Sequence, residues 1–407
     1  MRQSLRPGHL TAALPGTGGV IRQEPEDFRV EEIPLYPPCG EGDHLYLRLE
    51  KIGLGTLEVV RLLAATFGLR ERDIGYAGLK DTRAVTIQTF SLPGIAPDQT
   101  GRLAHPGLRL LEAVRHGNKL RLGHLAGNRF SIRLRNTVPD AQQIAADVLA
   151  VLQDLGVPNF FGPQRYGVLG NNGRVGAALL RREYRQAIAE IIGDPQQIDH
   201  AAWRQAATAF HAGDLQACLR HLPARMRDER RMIEALADGR GEKQALFSLP
   251  RRRLRLYLSA LQAELFDRLL AMRLSSIERL WPGDIAWKHD NGACFRVEDP
   301  QREQPRADRF EISPTGPLFG RKILLASGQA GLLEQSLLDK FSLQPADFRL
   351  GDGLTMDGER RPLRVPLDQV DITKEGDGLR LGFVLPRGSF ATSVLREVMK
   401  SDVDLVE

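Results

Sequence analysis

The chain has 407 residues, 42% of them hydrophobic and 26% charged, with a net charge of +5 and a pI near 9.2. This composition argues against a disordered or fibrous chain and supports two or three globular domains with a large core. Three distant cysteines, Cys39, Cys218 and Cys294, argue against a disulfide framework or a CxxC zinc site and predict a cytoplasmic protein. No apolar run approaches the roughly 18 residues of a membrane helix, and residues 1–19 lack a signal-peptide core.

In chain order, 28–34 and 44–52 alternate with the period of strands. Residues 56–68 follow with helical spacing, Thr56 as expected N-cap and Gly68 past the end. TIQTFSLPG, LRLLEAVRH and NRFSIRLRN read as three strands, with Ala126-Gly127-Asn128 as a loop before the last. A helix is predicted over 139–156. From 174 to about 275 the spacing is helical throughout. The strongest helix is 251–274, with a stripe of Leu254, Leu258, Leu261, Leu265 and Leu269. Glycine, proline and short strands fill 281–330, and a helical stretch, GLLEQSLLDKF, follows. A last strand over 379–390 precedes a short helical tail. The class is α+β, and the last strand is a candidate to rejoin the first sheet.

The basic charge is concentrated. Residues 115–135 hold eight Arg, Lys or His and no acid. Arg115, His116, Lys119, Arg121, Arg133 and Arg135 are therefore candidate RNA contacts, because Arg and Lys neutralise phosphates. The competing reading is a solvated outer face. Phe130 alternates onto the apolar side of its strand, which places it in the core by pattern alone.

One carboxylate stands out in GYAGLKDTRAVTIQTF (75–90): Asp81 is its sole acid, between Lys80 and Arg83. A turn cap paired with Arg83 is the structural reading. A chemical role needs a reaction for which one carboxylate suffices. Glycoside hydrolysis generally uses two, and the neighbours Glu31 and Glu32 point to opposite faces of their strand. There is no metal-ligand spacing, nucleotide-binding fingerprint, GxSxG or Walker A sequence. Breaking and remaking a nucleoside's glycosidic bond fits a single carboxylate in a basic cleft. The Asp would act as nucleophile or base on a flipped-out nucleotide, held ionised and oriented by a nearby Arg.

Six segments, in order, resemble the TruD family of tRNA pseudouridine synthases. They are EPEDFRVEEI (24–33), GYAGLKDTRAVTIQ (75–88), KLRLGHLAGNRFSIRLR (119–135), VPNFFGPQRYG (157–167), PTGPLFGRK (314–322) and LPRGSFATSVLRE (385–397). The resemblance implies an isomerase that converts a uridine of tRNA, expected at position 13, to pseudouridine without cofactor or metal. It implies Asp81 as catalytic residue, Asn128 as the group orienting its loop, and Phe130 and Phe390 at the active site. Tyr76, Lys80 and Arg83, in the same segment as Asp81, are expected beside it. Arg165 joins the expected RNA contacts. Arg22, expected at the active site in close contact with the aspartate, stands where the family commonly carries Lys, keeping the charge but not the shape. The implied fold is an antiparallel-sheet catalytic domain over 1–157 and 367–407, interrupted by an inserted α+β domain over 158–366. Residues 175–250 match the family poorly. The expected partner is tRNA, bound by a monomer. A non-catalytic RNA-binding protein or RNA chaperone, and a glycosylase releasing free base, are the rival readings.

Overall fold

Period-two alternation in the first third becomes one large sheet in the computed structural model, which describes residues 8–351 and 353–401. The first residues of the stretch read for a leader lie outside these. The chain divides into two units, one of residues 11–157 and 365–401 and the other of residues 8–10 and 158–364.

The first unit begins with strands β1 (Gly18–Val20), β2 (Phe28–Pro34) and β3 (His44–Ile52) and helix α1 (Thr56–Phe67). Strands β4 (Gly75–Tyr76), β5 (Val85–Pro93), β6 (Leu108–His116) and β7 (Leu125–Thr137), then helix α2 (Ala141–Leu155), complete the leading segment. Strand β8 (Val157–Pro158) carries the chain out of the unit.

The second unit opens with seven helices. They are α3 (Asn172–Leu180), α4 (Tyr184–Ile192), α5 (Ala201–His211), α6 (Leu215–His221), α7 (Arg227–Ala237), α8 (Glu242–Leu246) and α9 (Arg251–Arg273). A four-stranded sheet follows, ordered β10-β9-β11-β12, from β9 (Ile285–Lys288), β10 (Cys294–Arg296), β11 (Ile312–Leu318) and β12 (Glu359–Pro362). Helices α10 (Pro300–Asp308) and α11 (Gly328–Lys340) interrupt it. The five leucines of the α9 stripe are buried, and so are Tyr257, Phe266 and Leu270, so α9 is the central post of this unit's core. Where the chain leaves the unit, the Asn159 N–H donates to the Leu363 carbonyl at 2.9 Å, so its two ends meet.

After β13 (Arg364–Val365) the chain returns to the first sheet as β14 (Asp368–Glu375) and β15 (Gly378–Pro386), and ends in α12 (Ala391–Met399). The sheet order is β14-β15-β7-β2-β5-β3-β6, with β1 on β7 and β4 on β5. All its pairs are antiparallel except β2 with β5. The last strand does rejoin the first sheet, Leu379 facing Leu134 through Pro386 facing Gly127. Leu45, Leu47 and Leu49 of β3 pack with Val59, Val60, Leu63 and Phe67 of α1. Helix α2 packs against β14, β15 and α12.

Three local expectations change. The N-cap of α1 is Gly55, and the Thr56 hydroxyl is engaged elsewhere. Ala126-Gly127-Asn128 is strand, because Gly127 lets β15 approach so closely that a Cβ there would lie 2.4 Å from the Leu385 carbonyl oxygen. Strand β14 went unread because its exposed, charged residues, DQVDITKE, mask alternation on the edge of the sheet.

Candidate active site

Asp81 sits on the loop between β4 and β5, its side chain 47% exposed. The cation on it is Arg22, whose Nη2 donates to Asp81 Oδ2 at 2.7 Å across 59 residues of sequence. Arg22 occupies the left-handed region, φ +59°, and its guanidinium lies 4.2 Å above the Phe28 ring. The ring fixes the plane of the guanidinium, and the guanidinium in turn fixes the carboxylate.

The loop itself is clamped from several sides. Gln88 Nε2 donates to the Gly78 carbonyl at 2.7 Å, and the Thr56 hydroxyl accepts the Lys80 N–H at 2.9 Å. Thr56 also donates to Gln88 Oε1, so α1, β5 and the loop share one buried network. Beneath it lies Lys51, fully buried, which donates to the Leu54 carbonyl at 2.6 Å and the Asp81 carbonyl at 3.3 Å. Burial pushes the Lys51 ammonium down to about 8, against the opposing pull of Asp81.

Lys80 turns inward. Its side chain is only 8% exposed, paired with Glu32 at 3.0 Å and donating to Asn128 Oδ1 at 2.7 Å. It therefore ties the Asp81 loop to strands β2 and β7. Glu32 is completed by the Thr89 N–H at 3.2 Å and Gln88 Nε2 at 3.3 Å, and Glu31 pairs with Arg48 on the other face. Asn128 thus reaches the loop through Lys80. Arg83 is exposed two residues beyond Asp81, and Tyr76 is half-buried on β4 against the α1 core.

Phe130 is buried, its ring 6.3 Å from Phe28 and 5.4 Å from Phe383, so it underlies the ring that carries Arg22. Phe390, 36% exposed, follows β15 at the start of α12. Arg387 Nη1 donates to the Gly123 carbonyl at 2.9 Å, tying that turn to the loop before β7.

The basic run divides by environment. His116 is buried, stacked on Tyr36 at 5.2 Å and accepting the Cys39 N–H. Arg133 pairs with Glu375 at 3.5 Å. Arg135 grips buried Asp27 with two nitrogens and reaches Glu24 at 2.9 Å. Arg121 is exposed, Lys119 bonds the Arg72 carbonyl, and Arg115 bonds the Gly42 carbonyl. Arg165 belongs to the other unit, over the Phe161 ring at 5.3 Å.

Sequence reasoning missed Thr56, Lys51 and Gln88 as parts of the site. The available signal was polar side chains at strand positions whose alternation demands burial: Gln88 and Lys51 are fully buried. Among the described residues no group of three or more His, Cys, Asp or Glu has a metal-binding arrangement, and no helix is long and apolar enough to cross a membrane.

The arrangement is a half-exposed carboxylate, held by the Arg22 guanidinium, on a loop whose backbone is bonded by Gln88, Thr56 and Lys51. Comparisons with known proteins agree on what such a chain is. The family model of tRNA pseudouridine synthase D (TruD) matches residues 7–398. The tRNA pseudouridine synthase D of Syntrophotalea carbinolica is 55% identical over 395 residues, 97% of this chain and 99% of that one. That of Geobacter sulfurreducens is 53% identical, covering 96% of each chain. The TruD crystal structure from Methanosarcina mazei superposes with a TM-score of 0.83 at 26% identity, over 96% of this chain and 95% of that one. The chain therefore belongs to the TruD family of tRNA pseudouridine synthases, isomerases that act on tRNA.

Proposed function

We propose that this protein isomerises one uridine of tRNA, at position 13, to pseudouridine, with Asp81 as the catalytic group and no cofactor. The observation that carries the reading is the Arg22–Asp81 pair, 2.7 Å long, on a loop clamped by Thr56, Gln88 and Lys51. The reaction breaks the bond from C1′ to N1, turns the base, and joins C1′ to C5; N1 gains a proton and C5 loses one. A fixed carboxylate serves this as nucleophile or base on a nucleotide lifted out of its stack. Because it is already positioned, little reorganisation is needed when the nucleotide arrives. Phe390, at the turn after β15, would pack against the target base, and Arg83 and Tyr76 would complete the surroundings. Arg115, Lys119, Arg121 and Arg165 would meet phosphates, with shape selecting the tRNA. In this reading the unit of residues 11–157 and 365–401 is the catalytic domain, and residues 158–364 form the inserted one.

The test uses an unmodified tRNA transcript carrying tritium at uridine C5. Wild type should release tritium to water, while Asp81→Asn should release none and still bind the transcript. Release by Asp81→Asn near the wild-type rate would overturn the assignment. Tight binding with no release by either protein would favour a binding protein, and free uracil would indicate a glycosylase.

A further inference from the structure

The two most exposed large apolar side chains described in the sheet unit are Leu79, 64% exposed, and Leu122, 68% exposed. A lone exposed leucine is ordinary. These two are not scattered: they lie on loops joined by the Gly123 N–H donating to the Ala77 carbonyl at 2.8 Å. Leu79 stands two residues before Asp81, so its Cα is within about 7 Å of that of Asp81.

Neither leucine is exposed through slackness of its loop. The Gly78 carbonyl and the Lys80 N–H, on either side of Leu79, are held by Gln88 and Thr56 at 2.7 and 2.9 Å. Next to Leu122, the His124 N–H donates to the Arg121 carbonyl at 3.0 Å, and the Gly123 carbonyl accepts from Arg387. The backbone groups beside each leucine are held within the fold, and each loop presents an apolar side chain to water next to its charged ones, Asp81 and Arg83 on one and Arg121 on the other.

A base removed from a stacked helix leaves a gap whose neighbours lose their stacking partner. Apolar side chains such as Leu fill such gaps in nucleic acids by inserting between bases. We propose that Leu79, with Leu122 on the adjoining loop, is a wedge that enters the base stack and occupies the place vacated by the target uridine. The inference rests on Asp81 as the group that receives that uridine. The wedge and the carboxylate share one clamped loop, so insertion of the first and delivery of the base to the second become a single movement.

The test compares two tRNA transcripts with tritium at C5 of the target uridine. In one the uridine is paired and stacked; in the other the nucleotide facing it is replaced by an abasic residue, so it is already loosened. Single-turnover release is measured for wild type, Leu79→Ala, Leu79→Met and Asp81→Asn. Leu79→Ala should fall about tenfold on the stacked transcript and return to about twofold of wild type on the loosened one. Leu79→Met, which keeps the apolar bulk, should follow wild type on both. Equal loss on both transcripts, or no loss on the stacked one, overturns the wedge while leaving Asp81 in place. Release by Asp81→Asn at the wild-type rate overturns the Asp81 reading and the wedge with it.

Discussion

Arg22 holds a left-handed backbone conformation, φ +59°, while reaching Asp81 and lying over Phe28. A non-glycine residue there carries a cost of order 1 kcal/mol or more, sustained here by the contacts its side chain makes. Removing the side chain should therefore separate function from strain. Arg22→Ala and Arg22→Gly should lose turnover alike, by about 10²-fold, because the carboxylate loses its orienting partner. Their stabilities should differ, the Gly variant unfolding at higher urea by the equivalent of about 1 kcal/mol, because glycine adopts positive φ freely. Equal urea midpoints would remove strain from the account of this residue. Nearness in the chain offered Arg83 as the partner of Asp81, while the family resemblance placed Arg22 at the active site beside the aspartate. Arg22 could not be paired with Asp81 by spacing, since the ion pair depends on β2 and β5 lying side by side in the sheet.

Strand β7 has one face in the core and carries Arg129, Arg133 and Arg135 on the other. Read as a strand, that outer row suggested a floor for phosphates, and the alternation of the strand was legible. What alternation cannot reveal is which cations have already been taken up by carboxylates from other strands and turns. Asp27 is buried, which pushes its carboxyl up, but the Arg135 guanidinium and the Glu24 N–H hold it below the usual carboxylate range. The stability this supplies is complete above the ordinary aspartate value and is lost as pH falls through the lowered one. Arg135→Ala leaves the Asp27 carboxylate without its cation and should unfold at lower urea than wild type at pH 7. The gap to wild type should narrow below about pH 4, as followed by urea denaturation. The salt slope of tRNA binding should stay unchanged in Arg135→Ala, whereas Arg121→Ala should flatten it by about one phosphate contact. A flattened slope in Arg135→Ala would return this residue to the RNA.

At the scale of the molecule, the α+β class and the helical middle were legible, because each rests on long periodic runs; the return of the last strand followed from the family resemblance, since periodicity does not say which strands pair. The loop clamp was not, because it joins side chains from β2, β3, α1, β5 and β7 that periodicity treats one at a time. The unit of residues 158–364 closes on itself, the Asn159 N–H meeting the Leu363 carbonyl. Residues so paired have Cα atoms about 5 Å apart. Replacing 159–363 by a short Gly-Ser linker should therefore leave the sheet unit folded, with one cooperative urea transition and its strand signal in circular dichroism. The shortened protein should lose turnover on tRNA, since Arg165 and the surface around it are removed. A non-cooperative transition would show that the sheet unit depends on what is inserted into it.

The pairing of β15 with β7 also sets a schedule for synthesis on the ribosome. β7 ends at Thr137, and its neighbour β15 does not begin until Gly378. At ordinary elongation rates of about 5–20 residues per second, residues 127–134 of β7 wait for tens of seconds with one edge unpaired. An open edge recruits foreign strands, and charge is the usual defence. Of the arginines on β7, Arg135 has its partners Glu24 and Asp27 already made, whereas Arg133 stays a free charge beside the open edge until Glu375 is added; a chain cut short before Gly378 should therefore aggregate through that edge.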